Sequence, residues 1–221
     1  MAVSDADSVC VHETFTSIQG ESTFAGLKCL FLRTAGCNLR CRWCDTTLAR
    51  ASAGTPMTVA QILELSARSA TRLVAVTGGE PLLQPAVHPL MTALCDAGHT
   101  VVLETNGSQD ITGVDSRVHR IVDLKPPGSG QVTENRFENL ADLTERDEIK
   151  FVLADRRDYE WMKGIIAEHQ LDQGKVELLA ACVHSELEPR DLAAWILADD
   201  LTVRLQLQLH KIIWGADATG V

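Results

Sequence analysis

Apolar and polar positions fall into two alternating rhythms along this chain. Short apolar runs occupy 28–33 (KCLFLR), 73–77, 100–104, 121–124, 148–153, 175–179 and 203–209. Such runs predict strands buried on both faces. Between them lie segments with apolar residues at helical spacing. In 58–70, Thr58 and Gln61 fit a capping box, and Val59, Ile62, Leu63 and Leu65 supply an apolar face. The segment 85–97 has proline in its first turn and Gly98 just past its end. Helices are also expected at 156–169 and 189–198, with a shorter one at 135–143. Loops are expected at 46–56 and 126–131. No repeat, low-complexity tract or domain boundary interrupts the series, so residues 1–221 are expected to form one domain. Strands alternating with helices predict parallel pairing through crossover helices. The expected fold is α/β, a partial (β/α) barrel of six to seven mostly parallel strands. An open doubly wound sheet is the alternative.

Polar residues then gain meaning from their place. Gly36-Cys37, Gly78-Gly79-Glu80, Glu104-Thr105-Asn106, Asp123 with Lys125, His184 and His210 all follow the ends of expected strands. In α/β barrels that edge carries the active site.

Composition narrows the function classes. The chain has 221 residues, 45% hydrophobic and 23% charged, with a net charge of −10. This is globular composition. No Lys/Arg run supplies the basic footprint of a nucleic-acid binder. No apolar run approaches the ~20 residues of a membrane span. The first seven residues carry two acids and no apolar stretch, unlike an export signal, so a cytoplasmic location is expected.

Seven cysteines without an export signal read as thiols or metal ligands. Cys29 and Cys95 sit in apolar runs and are expected to be small buried hydrophobes. Cys37, Cys41 and Cys44 form a C-x3-C-x2-C triplet. A closed iron–sulfur cubane takes four cysteines. Three would leave one iron open, a place that S-adenosylmethionine (SAM) can fill through its amino and carboxylate groups. The alternative is structural zinc completed by a distant Cys29 or His12. Structural zinc usually uses paired C-x2-C motifs, which this triplet fits poorly.

The triplet, with Trp43 before its last cysteine, resembles the radical SAM superfamily, and Gly78-Gly79-Glu80-Pro81 resembles its GGEP motif. Further pieces are similar to the 7-carboxy-7-deazaguanine synthase branch. They are Ser17-Ile18-Gln19-Gly20-Glu21, Phe31-x-Arg33-x-x-Gly36-Cys37-Asn38, Cys44-Asp45-Thr46, Glu104-Thr105-Asn106-Gly107, Asp123-Leu124-Lys125 and the stretch 204–211 (RLQLQLHK). They occur in order over nearly the whole chain.

The resemblance implies a lyase that converts 6-carboxy-5,6,7,8-tetrahydropterin to 7-carboxy-7-deazaguanine with loss of ammonia, toward queuosine and other 7-deazapurines. A 5′-deoxyadenosyl radical would take hydrogen from C6, magnesium would assist the ring contraction, and the hydrogen would be returned. The radical is carried by the cofactor, so no side chain is expected to be catalytic. Cys37, Cys41 and Cys44 would hold a [4Fe-4S] cluster. Thr46 would bind Mg2+, with Asp45 in support. Gly79, Asp123, Leu124 and Lys125 would contact SAM. Ile18, Gln19, Gly20, Glu21, Arg33, Thr77, Glu104 and His210 would contact the pterin. A Gln amide offers paired donor and acceptor groups to an aminopyrimidinone edge. An Arg fork suits a carboxylate. The implied partners are a small-molecule pterin, a reductant such as flavodoxin or ferredoxin, and a second copy in a homodimer.

Two places depart from the family pattern. Ala181-Cys182 stands where relatives have Ser-Pro, and the tail after His210 runs on to Val221. The competing functions are a radical SAM activase acting on a protein partner and a non-enzymatic zinc or cluster module.

Overall fold

The computed structural model describes residues 8–216 and 218–221. One nine-stranded sheet organises it. The strands are β1 (Ser8–Ile18), β2 (Lys28–Thr34), β3 (Thr55–Thr58), β4 (Leu73–Gly78), β5 (Thr100–Thr105), β6 (His119–Leu124), β7 (Glu148–Leu153), β8 (Glu177–Cys182) and β9 (Arg204–Gln206). Their spatial order is β3-β1-β2-β4-β5-β6-β7-β8-β9. From β2 onward, apart from β3, every neighbouring pair is parallel. β1 runs antiparallel to both β2 and β3. The sheet does not close on itself, and its seven parallel strands match the expected partial barrel of six to seven mostly parallel strands.

Alternation along each strand divides the sheet into two faces. One face meets helices. Leu32, Val74, Val76, Val101, Leu103, Val122, Leu124, Phe151 and Leu153 belong to a large buried cluster. They share it with Ile62 of α2 (Val59–Arg68), Leu90 and Leu94 of α3 (Val87–Asp96), Met162 and Ile166 of α4 (Arg156–Glu168), and Leu192 and Ile196 of α5 (Pro189–Ala198). The other face is concave. Its lower part is a small apolar cluster of Cys29, Phe31, Leu73, Ala75, Val102 and Ile121, with Phe15 and Phe24 packed against it. Above that cluster the inner positions turn polar: Arg33, Thr77, Glu104, Asp123 and Lys150.

Most expected elements form close to their expected bounds. The capping box at Thr58 and Gln61 is complete. Gly98 follows α3 with φ +83°, a left-handed position that glycine adopts without strain. Cys29 is fully buried, and burial pushes its thiol up to about 12, whereas Cys95 is only partly covered.

The differences have local causes. β1 is absent from the expected strands because a register shift between Val11 and Glu13 breaks its alternation and its cavity side mixes His12 and Glu13 with Phe15 and Ile18. The expected loop 46–56 contains the short helix α1 (Thr47–Ala51) and the start of β3. The expected helix 135–143 is a 3₁₀ segment, Phe137–Asp142. The strand expected at 175–179 lies two to three residues later, at Glu177–Cys182. The last expected strand shrinks to Arg204–Gln206, and Leu209 opens the helix α6 (Leu209–Trp214). Among the described residues, no helix is long and apolar enough to cross a membrane.

Leu103 lies fully buried on the helix-facing side of the central strand β5. Leu103→Ala should cost about 2–5 kcal/mol through lost burial and the cavity left behind. A lower urea midpoint with an unchanged slope is the expected observation.

Candidate active site

The cysteine loop leaves β2 through Gly36, whose φ of +85° turns the chain over the strand ends. The Gly36 amide donates to Ala49 O at 2.9 Å, and its carbonyl accepts from Glu80 N at 2.8 Å. Further along, Arg42 N donates to Ser129 O at 3.0 Å. The Arg42 guanidinium reaches Gly128 O and grips Glu186 with two bonds of 2.9 and 2.7 Å. Cys37 Sγ accepts from Leu39 N at 3.4 Å and lies 3.7 Å from Asn106 Nδ2. N–H groups aimed at sulfur suit a metal-bound thiolate. Cys37 and Cys44 are both close enough to act electrostatically on Cys41, and burial pushes the Cys41 thiol up. Metal binding displaces such a proton. Among the described residues, no three His, Cys, Asp or Glu side chains gather tightly enough for a single ion. Three thiols on one loop, with N–H groups directed at Cys37 Sγ, make a donor set that suits an iron–sulfur cluster. Cys29, buried under the inner face with its thiol directed at Leu30 O, is not available as a fourth ligand.

The glycine pair after β4 completes this wall. Gly79 N donates to Thr34 O at 3.1 Å. A Cβ on Gly79 would run into the Gly36 carbonyl, so the two backbones touch here. Glu80 is fully buried and accepts from Thr105 Oγ1 at 2.9 Å, Asn106 N at 2.7 Å and Leu82 N at 3.1 Å. Burial raises its pKa against the pull of those donors.

Beside the loop opens a cavity of about 730 Å³. Phe15 and Phe31 stack on its wall with ring centroids 4.9 Å apart. Glu104 accepts from Gln19 Nε2 at 3.0 Å and Thr77 Oγ1 at 2.9 Å. Glu21 bonds Lys150 Nζ at 2.7 Å and Gln208 Nε2 at 2.6 Å. Burial alone would raise the Glu21 pKa. The Lys150 charge and these hydrogen bonds outweigh it and bring the value down to about 2. Asp123 Oδ2 lies 3.1 Å from Lys125 Nζ and 3.4 Å from Lys150 Nζ, while its buried Oδ1 has no partner among the described residues. Arg33 gives its Nε to Glu13 at 2.8 Å and stands over the Phe15 ring. Gly20 is needed because a Cβ there would strike the His210 ring.

Thus Ile18, Gln19, Gly20, Glu21, Arg33, Thr77, Gly79, Glu104, Asp123, Lys125, His210, Thr46 and the three cysteines all line one cavity. Leu124 does not. It points the opposite way from Asp123, fully buried in the helix-facing core, so only its backbone is near the site. Thr46 Oγ1 is 3.8 Å from Cys44 Sγ and 3.5 Å from Gly78 O. Asp45 pairs with Lys211 at 3.2 Å. Val183 and His184, just past Cys182, also line the cavity, as do Ala218 to Val221 of the tail. Sequence reasoning missed Lys150 and Glu13, named His12 only as a distant zinc ligand, and gave Gln208 no role beyond its place in the 204–211 stretch. Lys150 carried a signal: with Glu148 it is one of two charged inner residues in an alternating strand, EIKFVL.

Residues 31–127 match the family model described as the Radical SAM superfamily. The chain is 48% identical over 214 residues to the 7-carboxy-7-deazaguanine synthase of Chlorobaculum tepidum, covering 96% of each chain. It is 39% identical over 225 residues to the enzyme of the same name from Koribacter versatilis, covering 96% of this chain and 99% of the relative. The crystal structure of QueE from Escherichia coli superposes with a TM-score of 0.73 at 23% identity, over 90% of this chain and 94% of that one. At that identity the superposition speaks for the fold alone.

The depressed Glu21 pKa carries a pH signature. Its ionised form is favoured in the folded state, so the stability it contributes is present above about pH 4.5 and is lost as pH falls toward about 2. Glu21→Gln should flatten the loss of stability over that window, measured as urea midpoint against pH.

Proposed function

Because the chain belongs to the 7-carboxy-7-deazaguanine synthases of the radical SAM superfamily, we propose that its cavity takes 6-carboxy-5,6,7,8-tetrahydropterin and yields 7-carboxy-7-deazaguanine with loss of ammonia. The enzyme is a radical SAM lyase that uses a [4Fe-4S] cluster and SAM. The observation that carries the substrate reading is the joining of the cysteine loop, the Gly78-Gly79 turn and an array of buried polar groups in one cavity.

When bound, the cluster and SAM supply the radical that takes a hydrogen atom from C6 of the pterin. The residues of the chain bind, orient and shield. Cys37, Cys41 and Cys44 hold the cluster. Gly79 offers backbone to SAM where no side chain fits, and Asp123 Oδ1 offers a buried acceptor. Lys125 and the backbone of Leu124 flank them. Gln19, fixed by Glu104, presents its amide to the aminopyrimidinone edge. Ile18, Gly20, Glu21 and Thr77 complete that side. Among the described residues Arg33 gives only its Nε, to Glu13, which leaves the outer nitrogens for the substrate carboxylate. His210 approaches over Gly20. Thr46 presents a hydroxyl oxygen beside the cluster loop for Mg2+, an ion that prefers oxygen and keeps waters or substrate oxygens in its octahedron. Residues 1–221 act as one radical SAM unit, reduced by a flavodoxin or ferredoxin, working in the cytoplasm as a homodimer.

A protein substrate is the second reading. The size of the cavity and the tail residues along its wall favour a small molecule instead.

Anaerobic reconstitution should give a brown protein with about four irons per chain. After reduction it should convert the carboxypterin to the deazaguanine chromophore. Zinc without iron would reject the cluster, and absence of the chromophore would sink the substrate assignment. Thr46→Ala should raise the Mg2+ concentration needed for half-maximal turnover on the order of tenfold, since even outer contacts of metal sites carry 10–100-fold effects.

A further inference from the structure

Lys150 has no place in the roles set out above, yet it lies at the middle of the most continuous set of charges in the cavity wall. It is an inner-face residue of β7, directly opposite Asp123 of β6 in the parallel register. Its ammonium is 2.7 Å from Glu21 Oε2 and 3.4 Å from Asp123 Oδ2. Glu21 arrives from the loop after β1, far away in the chain, and its other oxygen is taken by Gln208. Asp123 is also tied to Lys125. Gln208, Glu21, Lys150, Asp123 and Lys125 therefore form one unbroken line across the cavity wall. The three central side chains are each no more than 15% exposed.

Such a line is not explained by stability alone. Apolar residues of similar volume serve a buried site as well as an ion-pair network, or better. Its ends also differ in function. On the reading given under Proposed function, Glu21 faces the pterin, and Asp123 and Lys125 face SAM. The SAM end is incomplete, because Asp123 Oδ1 is buried and has no partner among the described residues. A ligand donor that engages Oδ1 fixes the Asp123 carboxylate, and with it the longer leg to Lys150. The ammonium then sets the Glu21 carboxylate on the pterin side.

We propose that Lys150 is a positioning residue that couples the two halves of the cavity, so that SAM and the pterin each bind more tightly when the other is present. This rests on the substrate and cofactor assignments above. Linkage requires the effect to be reciprocal.

The test is equilibrium binding to the reconstituted, unreduced holoenzyme, which cannot turn over. SAM is titrated calorimetrically under anaerobic conditions, with and without saturating 6-carboxytetrahydropterin. Wild-type enzyme should bind SAM at least about 5-fold more tightly with the pterin present, the low end of ordinary coupling between sites. Lys150→Met should bring that ratio to about one, and Lys150→Arg should restore part of it. Removing Lys150 leaves two buried carboxylates facing each other, so Glu21→Gln serves as the second variant. It keeps the Lys150–Asp123 pair and, at a pterin concentration shown to saturate the variant itself, should abolish the ratio, against the usual several-fold coupling. A purely structural role would lower both affinities and keep the ratio. Wild-type enzyme that binds both ligands without coupling, or a wild-type ratio in both Lys150→Met and Glu21→Gln, would overturn the proposal. Wild-type enzyme that binds SAM but no pterin would overturn the substrate reading beneath it instead.

Discussion

The carboxyl group of Glu80 is sealed between two strand ends and meets donors from Leu82, Thr105 and Asn106. A buried carboxylate left without partners would be costly, so these bonds fix where β5 ends relative to β4. The consequences spread outward. Asn106, held by its backbone, turns its side chain toward Cys37 Sγ and Asn38. The Glu80 amide holds the Gly36 carbonyl, which in turn leaves no room for a side chain on Gly79. The cysteine loop, the glycine turn and the exit of the central strand thus share one anchor. Without it the cavity would lose the wall on which the cofactor depends.

The rest of the site follows from sheet geometry. Parallel strands point alternate residues to opposite faces. Helices cover one face, and the other curves over the cavity. The inner face is apolar near its base, where Phe15, Phe24 and Phe31 pack, and polar toward the strand exits. Those polar groups are largely removed from water, so they pair with one another: Gln19 and Thr77 with Glu104, Arg33 with Glu13, Glu21 and Asp123 with Lys150. Each pair holds a side chain in place before any ligand arrives, which lowers the cost of binding.

Much of this was legible in the sequence because both governing signals are local. Runs such as 73–77 and 148–153 declare buried strands, and the C-x3-C-x2-C spacing brings three thiols onto one short loop. What escaped depends on distant contacts. β1 hid because its register shifts at Glu13 and because four of its eleven residues, His12, Glu13, Phe15 and Ile18, line the cavity. Lys150 hid because its partners come from elsewhere in the chain, Glu21 from the loop after β1 and Asp123 from β6. Leu124 was grouped with Asp123 and Lys125 as one motif, but neighbours in a strand face opposite ways, and its side chain belongs to the core. The helix α6 replaced the end of an expected strand, since apolar residues at 207, 209, 212 and 213 fit either period over so short a stretch.

The two-sided sheet also sets how such a protein can change over time. Outward residues such as Leu103 and Phe151 answer to the helices, while inward ones such as Arg33 and Glu104 answer to whatever fills the cavity. A substitution on one side is screened from the other by the backbone between them. Chemistry and packing can therefore drift on separate clocks, and a library confined to the inner positions could search for new substrates while the scaffold stays the same.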